Sequence, residues 1–82
     1  MAHVILTPSL AKRFAGGLTE HEIAGATVRQ LIRGLEARYP GLGERLETGV
    51  AVAIDGEIHQ NAFLEPVRAD SEVCFIPAIE GG

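Results

Sequence analysis

Residues 27–41 read TVRQLIRGLEARYPG and carry the clearest structural pattern in the chain. Their apolar side chains recur at helical spacing, at Val28, Leu31, Ile32, Leu35 and Tyr39. Thr27 and Gln30 have the T-x-x-Q spacing of a capping box, and Pro40-Gly41 ends a helix. Gly34 costs a helix about 1 kcal/mol relative to alanine, which indicates close packing there. The stretch predicts one main helix from Val28 to Tyr39 with a single apolar face.

Two short strands are expected before this helix. The residues from His3 to Thr7 include β-branched side chains and are closed by Pro8, which cannot continue a strand ladder. A weaker strand from Glu20 to Ala24 pairs back on the first as a hairpin. In the interval between them, the pattern indicates only a turn at Gly16-Gly17.

After the helix, a loop around Leu42 and Leu46 leads to three more predicted strands. These strands are Val50–Ile54, Glu57–Gln60 and Val73–Ile76. Asp55-Gly56 is a strong tight-turn signal between the first two, and Pro77 ends the last one. The order predicts an α+β roll, in which a mixed sheet of four to five strands carries the main helix across one face. The β-grasp (ubiquitin-like) arrangement is expected, while the pattern leaves the strand partners open.

The composition places the chain among small intracellular domains. It has 82 residues, 46% of them apolar, and a net charge of −4. This length suits one domain, and the acidic charge disfavours nucleic acid and favours a partner with a basic face. No apolar stretch approaches the length of a membrane span, and no signal peptide is evident. A single cysteine, Cys74, allows no internal disulfide. A cytoplasmic location is expected.

The body of the chain offers no credible active site. His3, His21 and His59 lie far apart, without the spacing of a metal site. Cys74 lies inside an apolar run, where burial makes a thiol inert. The carboxylate pairs Glu44/Glu47 and Asp70/Glu72 are typical of solvated loops. We expect no catalytic residue and no bound metal or cofactor.

The most informative feature is the tail. Residues 1–77 are expected to form the domain and residues 78–82 a flexible extension ending in Ile79-Glu80-Gly81-Gly82. Glycines lack side chains, so this end can enter a slot that any Cβ would block. Fully extended, four residues reach roughly 13 Å. An enzyme could activate the Gly82 carboxylate as an acyl-adenylate. The alternative is that Gly81-Gly82 is only a frayed terminus. Taken alone, a terminal Gly-Gly pair fits this alternative about as well as a reactive tail.

Three stretches resemble the MoaD/ThiS family of sulfur carriers. The helix and its exit, residues 26–42, are similar to the family's helix. Residues 50–56 resemble its strand with an Asn-Gly or Asp-Gly turn. Residues 69–73 and 75–82 are similar to its "dGDeV" and "PP-x-x-GG" segments. Together they cover most of residues 26–82.

The resemblance implies a β-grasp fold and a carrier rather than an enzyme. It implies adenylation of Gly82 by a ubiquitin-activating-like enzyme of the MoeB/ThiF type, which uses the ATP. A sulfur donor then converts Gly82 to a thiocarboxylate. Length and residues 38–42 look nearer to MoaD, the small subunit of molybdopterin synthase. In that role Ile79, Glu80, Gly81 and Gly82 insert into the large subunit, MoaE.

Some positions depart from the family pattern. Ser71 replaces a turn glycine, and Ala78 replaces a proline. Glu80 stands where a small residue is usual, which points either to a dedicated partner or to a side chain left in solvent.

Three alternatives to molybdopterin synthesis stay open. The chain could carry sulfur for cysteine, thiamine or another thio-metabolite. It could be a protein modifier joined to lysines through Gly82, or a non-covalent interaction module. Phe75 and Phe14 are candidate docking residues, although each has the alternative of lying in the core.

Overall fold

The computed structural model describes residues 1–47, 50–60 and 62–77. Its elements are β1 (Ala2–Leu6), α1 (Pro8–Phe14), β2 (Glu20–Ile23), α2 (Val28–Arg38), α3 (Leu42–Glu47), β3 (Val50–Ile54), β4 (Glu57–His59) and β5 (Glu72–Pro77). The strands form one five-stranded sheet in the order β2-β1-β5-β3-β4. β1 and β5 are parallel, and the other pairs are antiparallel. The mixed sheet predicted from the sequence is confirmed, and so is the β1–β2 hairpin.

The main helix α2 covers one side of the sheet. Its buried residues are Val28, Leu31, Ile32 and Leu35, and they join the inward-facing strand residues in one core. The Gln30 N–H donates to Thr27 Oγ1 over 3.3 Å, as a capping box requires. The Gln30 side chain accepts from the Ala26 N–H at 2.7 Å, one residue before the cap itself. The predicted helix is therefore confirmed, and it ends one residue early because Tyr39 is its C-cap.

Gly34 is a position where α2 packs closely against β2. A Cβ built at this position would lie 2.8 Å from Ile23 Cγ2 on β2. Such a distance is well inside ordinary van der Waals contact, so only glycine fits without a shift. The close packing expected at this position is confirmed.

Two short helices, α1 and α3, were not predicted. Pro8 was interpreted only as the end of a strand, but it is also the first residue of α1, where its missing N–H costs nothing. Thr7 caps α1 by accepting from the Leu10 N–H at 3.3 Å. α3 buries Leu42 and Leu46 in what was expected to be a loop. Both helices are too short for a periodic pattern to reveal them. No helix in the described ranges is long and apolar enough to cross a membrane.

The β3–β4 turn was predicted correctly. Asp55 and Gly56 both have positive φ, 50° and 86°, as a type I′ hairpin turn demands. Asp55 is also tied to the start of β5: its N–H donates to the Glu72 carbonyl at 2.9 Å, and its Oδ1 accepts from the Glu72 N–H at 2.9 Å. This pair of bonds fixes where β5 begins.

Candidate functional site at the open face of the sheet

The predicted reactive tail follows β5, the middle strand of the sheet. Ile79, Glu80, Gly81 and Gly82 lie outside the described residues, so the described part of the site is β5 with its neighbours. β1 lies on one side of β5 and β3 on the other. The polypeptide thus leads to the tail from a strand held by hydrogen bonds along both edges.

The two sides of β5 have opposite environments. Val73 and Phe75 point into the core, and both side chains are 0% exposed. Cys74 and Ile76 alternate with them and point to the other side, which we call the open face. Phe75 was considered as an exposed docking residue. That prediction is wrong, because its side chain is fully buried under the helices.

Phe14, the second docking candidate, lies on α1. It is half-buried and packs against the core. Its Cε1 would lie 3.4 Å from a Cβ placed at Gly41, so it closes the edge of the core near the link between α2 and α3. It belongs to a different part of the molecule from the open face. Its proposed role in docking stays a prediction.

The open face carries an apolar patch that crosses four strands. Its members are Ile5, Ala51, Ala53, Ile58, Cys74 and Ile76. The strand register aligns Ile5 with Cys74, Cys74 with Ala53, and Ala53 with Ile58, and it places Ile76 opposite Ala51. Ile58 is 65% exposed and Ile76 is 39% exposed. None of the six belongs to the described core cluster. We call this set the open-face patch.

Alternation along each strand is the sequence signal that separates the open face from the core side, although it does not identify the neighbouring strands. Val73 begins an apolar run in which alternate residues face opposite sides, so Ile76 faces away from Val73. Position along the strand, rather than apolar character, therefore separates buried Phe75 from exposed Ile76. Ile58 gives no such signal in the sequence, because its strand is only three residues long and has no other apolar residue.

The opposite end of the open face is acidic. His3 lies between Glu22 of β2 and Glu72 of β5 in the strand register. One ring nitrogen of His3 is hydrogen-bonded to Glu22, and the other lies 3.0 Å from Glu20 Oε1. These carboxylates raise the pKa of His3 above its ordinary value, the Glu22 hydrogen bond most strongly. The open face is therefore apolar towards the tail and negatively charged at the far end.

Cys74 lies in the middle of the open-face patch but is a poor nucleophile. Partial burial raises the pKa of its thiol, and the negative charge of Glu72 raises it further. Both effects disfavour the thiolate, which is the reactive form. Cys74 therefore acts as a small apolar residue, as its sequence context indicated.

The N-terminus of α2 has no free donors for an anion. The Val28 N–H donates to the Glu65 carbonyl at 3.1 Å, and the Arg29 N–H donates to the Phe63 carbonyl at 2.9 Å. The next N–H is taken by Thr27. Within residues 1–47, 50–60 and 62–77, no group of three His, Cys, Asp or Glu side chains could hold a metal ion.

Comparison with known proteins places these features in context. The sequence matches the model of the ThiS family over residues 9–82. It is 31% identical over 81 residues to a molybdopterin synthase sulfur carrier subunit of Pyrenophora tritici-repentis, a match that covers 95% of this chain and 87% of that protein.

Three solved structures share the fold. A chain of the Amycolatopsis orientalis BexX/CysO complex aligns with a TM-score of 0.86 and 24% identity, covering 100% of both chains. CysO of Mycobacterium tuberculosis, described as an antigen, aligns with a TM-score of 0.84 and 22% identity over 96% of this chain and 100% of that one. The small archaeal modifier protein 1 of Methanosarcina acetivorans gives 0.80 and 22%, over 99% and 95%. These similarities confirm the predicted β-grasp.

Proposed function

The chain belongs to the ThiS family of ubiquitin-like sulfur carriers, and on that premise we propose that its working group is the carboxylate of Gly82. The observation that carries this proposal is the extent of the family match. It runs from residue 9 to residue 82, so it takes in the β-grasp body after β1 together with the Gly81-Gly82 pair. A member of this family is a carrier rather than an enzyme.

The proposed chemistry has two steps. A partner enzyme of the MoeB/ThiF type binds ATP, and an oxygen of the Gly82 carboxylate attacks the α-phosphate. Pyrophosphate leaves, and an acyl-adenylate forms. Sulfide from a sulfur donor then attacks the acyl carbon, the bond to the AMP oxygen breaks, and AMP departs, which leaves a thiocarboxylate on Gly82. This chain supplies the carboxylate, and we propose that the ATP is held by the partner alone.

We propose that the partner enzyme docks on the open-face patch. The patch surrounds the end of β5, so an enzyme seated there lies beside the last residues of that strand, after which the sequence of the tail begins. Its exposed members Ile58 and Ile76 supply apolar contact area. Glu22 and Glu72 flank His3 beyond the far end of the patch, and Glu20 lies beside Ile5 at its edge. These carboxylates favour a basic surface on the enzyme.

Molybdopterin synthesis is the pathway we propose for the sulfur. The support is the relative from Pyrenophora tritici-repentis, which is named as a molybdopterin synthase sulfur carrier subunit. In this role the tail residues from Ile79 to Gly82 would enter a MoaE-type large subunit. Glu80 would then lie in or beside that subunit's channel.

The test is in vitro conversion of Gly82. The full chain is incubated with ATP, a MoeB/ThiF-type enzyme and a sulfur donor, and its intact mass is measured. We expect one oxygen-for-sulfur exchange. A variant lacking Gly82 and a variant with one alanine added after Gly82 should show none, because the first loses the reacting residue and the second moves the carboxylate. Exchange in the variants as well, or no exchange with cognate enzymes, would contradict the proposal.

A second step tests the pathway. The thiocarboxylated chain is mixed with a MoaE-type subunit and the pterin precursor, and molybdopterin is assayed. Formation of product supports the proposed pathway. If the chain is thiocarboxylated but gives no molybdopterin, it carries sulfur for a different thio-metabolite. Branched peptides that carry Gly-Gly on lysines would instead indicate a protein modifier.

A further inference from the structure

His3 is the histidine whose two ring nitrogens both face carboxylates at hydrogen-bonding distance. Nδ1 is hydrogen-bonded to Glu22 Oε2, and Nε2 lies 3.0 Å from Glu20 Oε1. Both glutamates belong to β2, while His3 belongs to β1. The imidazole therefore links the edge strand of the sheet to its neighbour, on the side that carries the open-face patch.

This arrangement specifies the protonation state of the ring. A neutral imidazole has one N–H and one lone pair, whereas an ionised carboxylate can only accept hydrogen bonds. A neutral His3 could thus satisfy one glutamate and would turn its lone pair towards the other. The imidazolium donates to both. The two carboxylate contacts of His3 match the charged form.

His21 makes the opposite case within the same hairpin. One of its ring nitrogens faces the Leu18 carbonyl at 2.8 Å, and the other faces the Tyr39 hydroxyl at 3.4 Å. A carbonyl accepts and a hydroxyl can donate, so a neutral imidazole satisfies both partners. Neither partner of His21 is a carboxylate, whereas both partners of His3 are.

We propose that His3 is a protonation switch on the open face. In its charged form it ties β2 to β1 and cancels one negative charge at the acidic end of the face. In its neutral form it releases one of the two glutamates and leaves the full acidic charge exposed. This inference rests on the proposed function in one respect: the exposed charge strengthens docking of a basic partner enzyme.

The direction of the switch follows from its surroundings. Glu20 and Glu22 face His3 from β2, and Glu72 lies beside it on β5, followed by Cys74. The glutamates favour the charged ring, and they raise the pKa of His3 above its ordinary value of 6.5. The tie is therefore fully present below pH 6.5 and is lost as the pH rises through the raised pKa. Docking on the open face strengthens over the same interval.

The first experiment needs no partner. The ring protons of His3 are followed by NMR in the full chain from about pH 5 to about pH 9, a range that spans histidine titration. We expect the midpoint to lie above 6.5 and to fall in Glu22→Gln, with a smaller fall in Glu20→Gln. A midpoint at or below 6.5, or one that neither substitution moves, would overturn the switch.

The second experiment tests the link to docking. The KM of the adenylating enzyme for the carrier is measured by ATP–pyrophosphate exchange, with the wild-type chain and with His3→Gln. The ratio of the two KM values cancels the enzyme's own pH dependence. We expect wild type to have a KM about two- to five-fold above that of His3→Gln at low pH, as one exposed charge allows, and an equal KM at high pH.

His59→Gln is the matched control. His59 also lies near two glutamates, with Nε2 3.3 Å from Glu57 Oε1 and Nδ1 3.8 Å from Glu65 Oε1. It pairs with Val52 in the register, however, which places it on the core side of the sheet. The ratio of the wild-type KM to the His59→Gln KM should not change with pH.

The outcomes that would contradict the proposal are separate. A wild-type to His3→Gln KM ratio that does not change with pH would overturn the link to docking. If neither the wild-type chain nor any variant supports ATP–pyrophosphate exchange, the proposed function fails. The NMR titration of His3 then decides alone whether the switch exists.

Discussion

The two sides of the sheet use the same strands and similar residues for opposite purposes. On the core side, Val4, Val73 and Phe75 are fully buried beneath the helices. On the open face, Ile5, Ile58 and Ile76 remain partly or largely exposed. One step along a strand moves a side chain from one side to the other. Hydrophobicity alone therefore does not tell a buried residue from an exposed one in this chain, whereas the residue's odd or even position along its strand does.

Phe75 and Ile76 give the largest test of this comparison, because they are neighbours on opposite sides. Phe75→Ala removes a fully buried aromatic ring and leaves a cavity, and we expect it to lower the free energy of unfolding by about 3–5 kcal/mol. That is a large part of the stability of a small domain. Urea unfolding followed by circular dichroism measures the loss.

Ile76→Ala is the control for Phe75→Ala. Its side chain is 39% exposed, so truncation should cost about 1 kcal/mol or less. Equal losses in the two variants would mean that the open face is covered within the folded chain, and the distinction between the two sides would fail.

Gly34→Ala tests how α2 is seated on the core side. Alanine favours a helix over glycine by about 1 kcal/mol. The new Cβ would nevertheless lie 2.8 Å from Ile23 Cγ2, and overpacking of this kind costs about 1–3 kcal/mol. Ile23 is buried and cannot swing away freely. We expect a net loss of about 1 kcal/mol in urea unfolding.

A double-mutant cycle isolates that contact. In an Ile23→Ala background the obstructing methyl group is gone, so Gly34→Ala should become stabilising by up to about 1 kcal/mol. If Gly34→Ala has the same sign in both backgrounds, Ile23 is not what excludes a side chain at position 34.

Much of the fold could be predicted because its signals are local. The apolar spacing from Val28 to Tyr39 and the cap at Thr27 located α2, and Asp55-Gly56 located the hairpin turn. The short helices could not be predicted in the same way. α1 and α3 bury two side chains each, too few to establish a period, and they form because the core accepts Leu10 and Leu42.

The open-face patch depends on contacts that no local pattern fixes. Ile5, Cys74, Ala53 and Ile58 are far apart in sequence and become neighbours only through the order β1-β5-β3-β4. The parallel pairing of β1 with β5 joins the two ends of the domain. The sequence pattern leaves the strand partners open, so it does not bring these residues together.

Ile58→Thr should have the smallest effect on stability and the clearest effect on docking. Ile58 is 65% exposed on β4, and threonine keeps the strand preference of a β-branched residue. We expect the free energy of unfolding to change by no more than about 0.5 kcal/mol. The KM for adenylation should rise about five-fold, because truncation of a buried interface contact costs about 1 kcal/mol.

Leu64→Thr is the matched control: Leu64 is 76% exposed, but it lies in the loop between β4 and β5 rather than on the open face. Its KM should stay at the wild-type value. A similar rise in both variants would show that general surface hydrophobicity, rather than the open-face patch, governs docking.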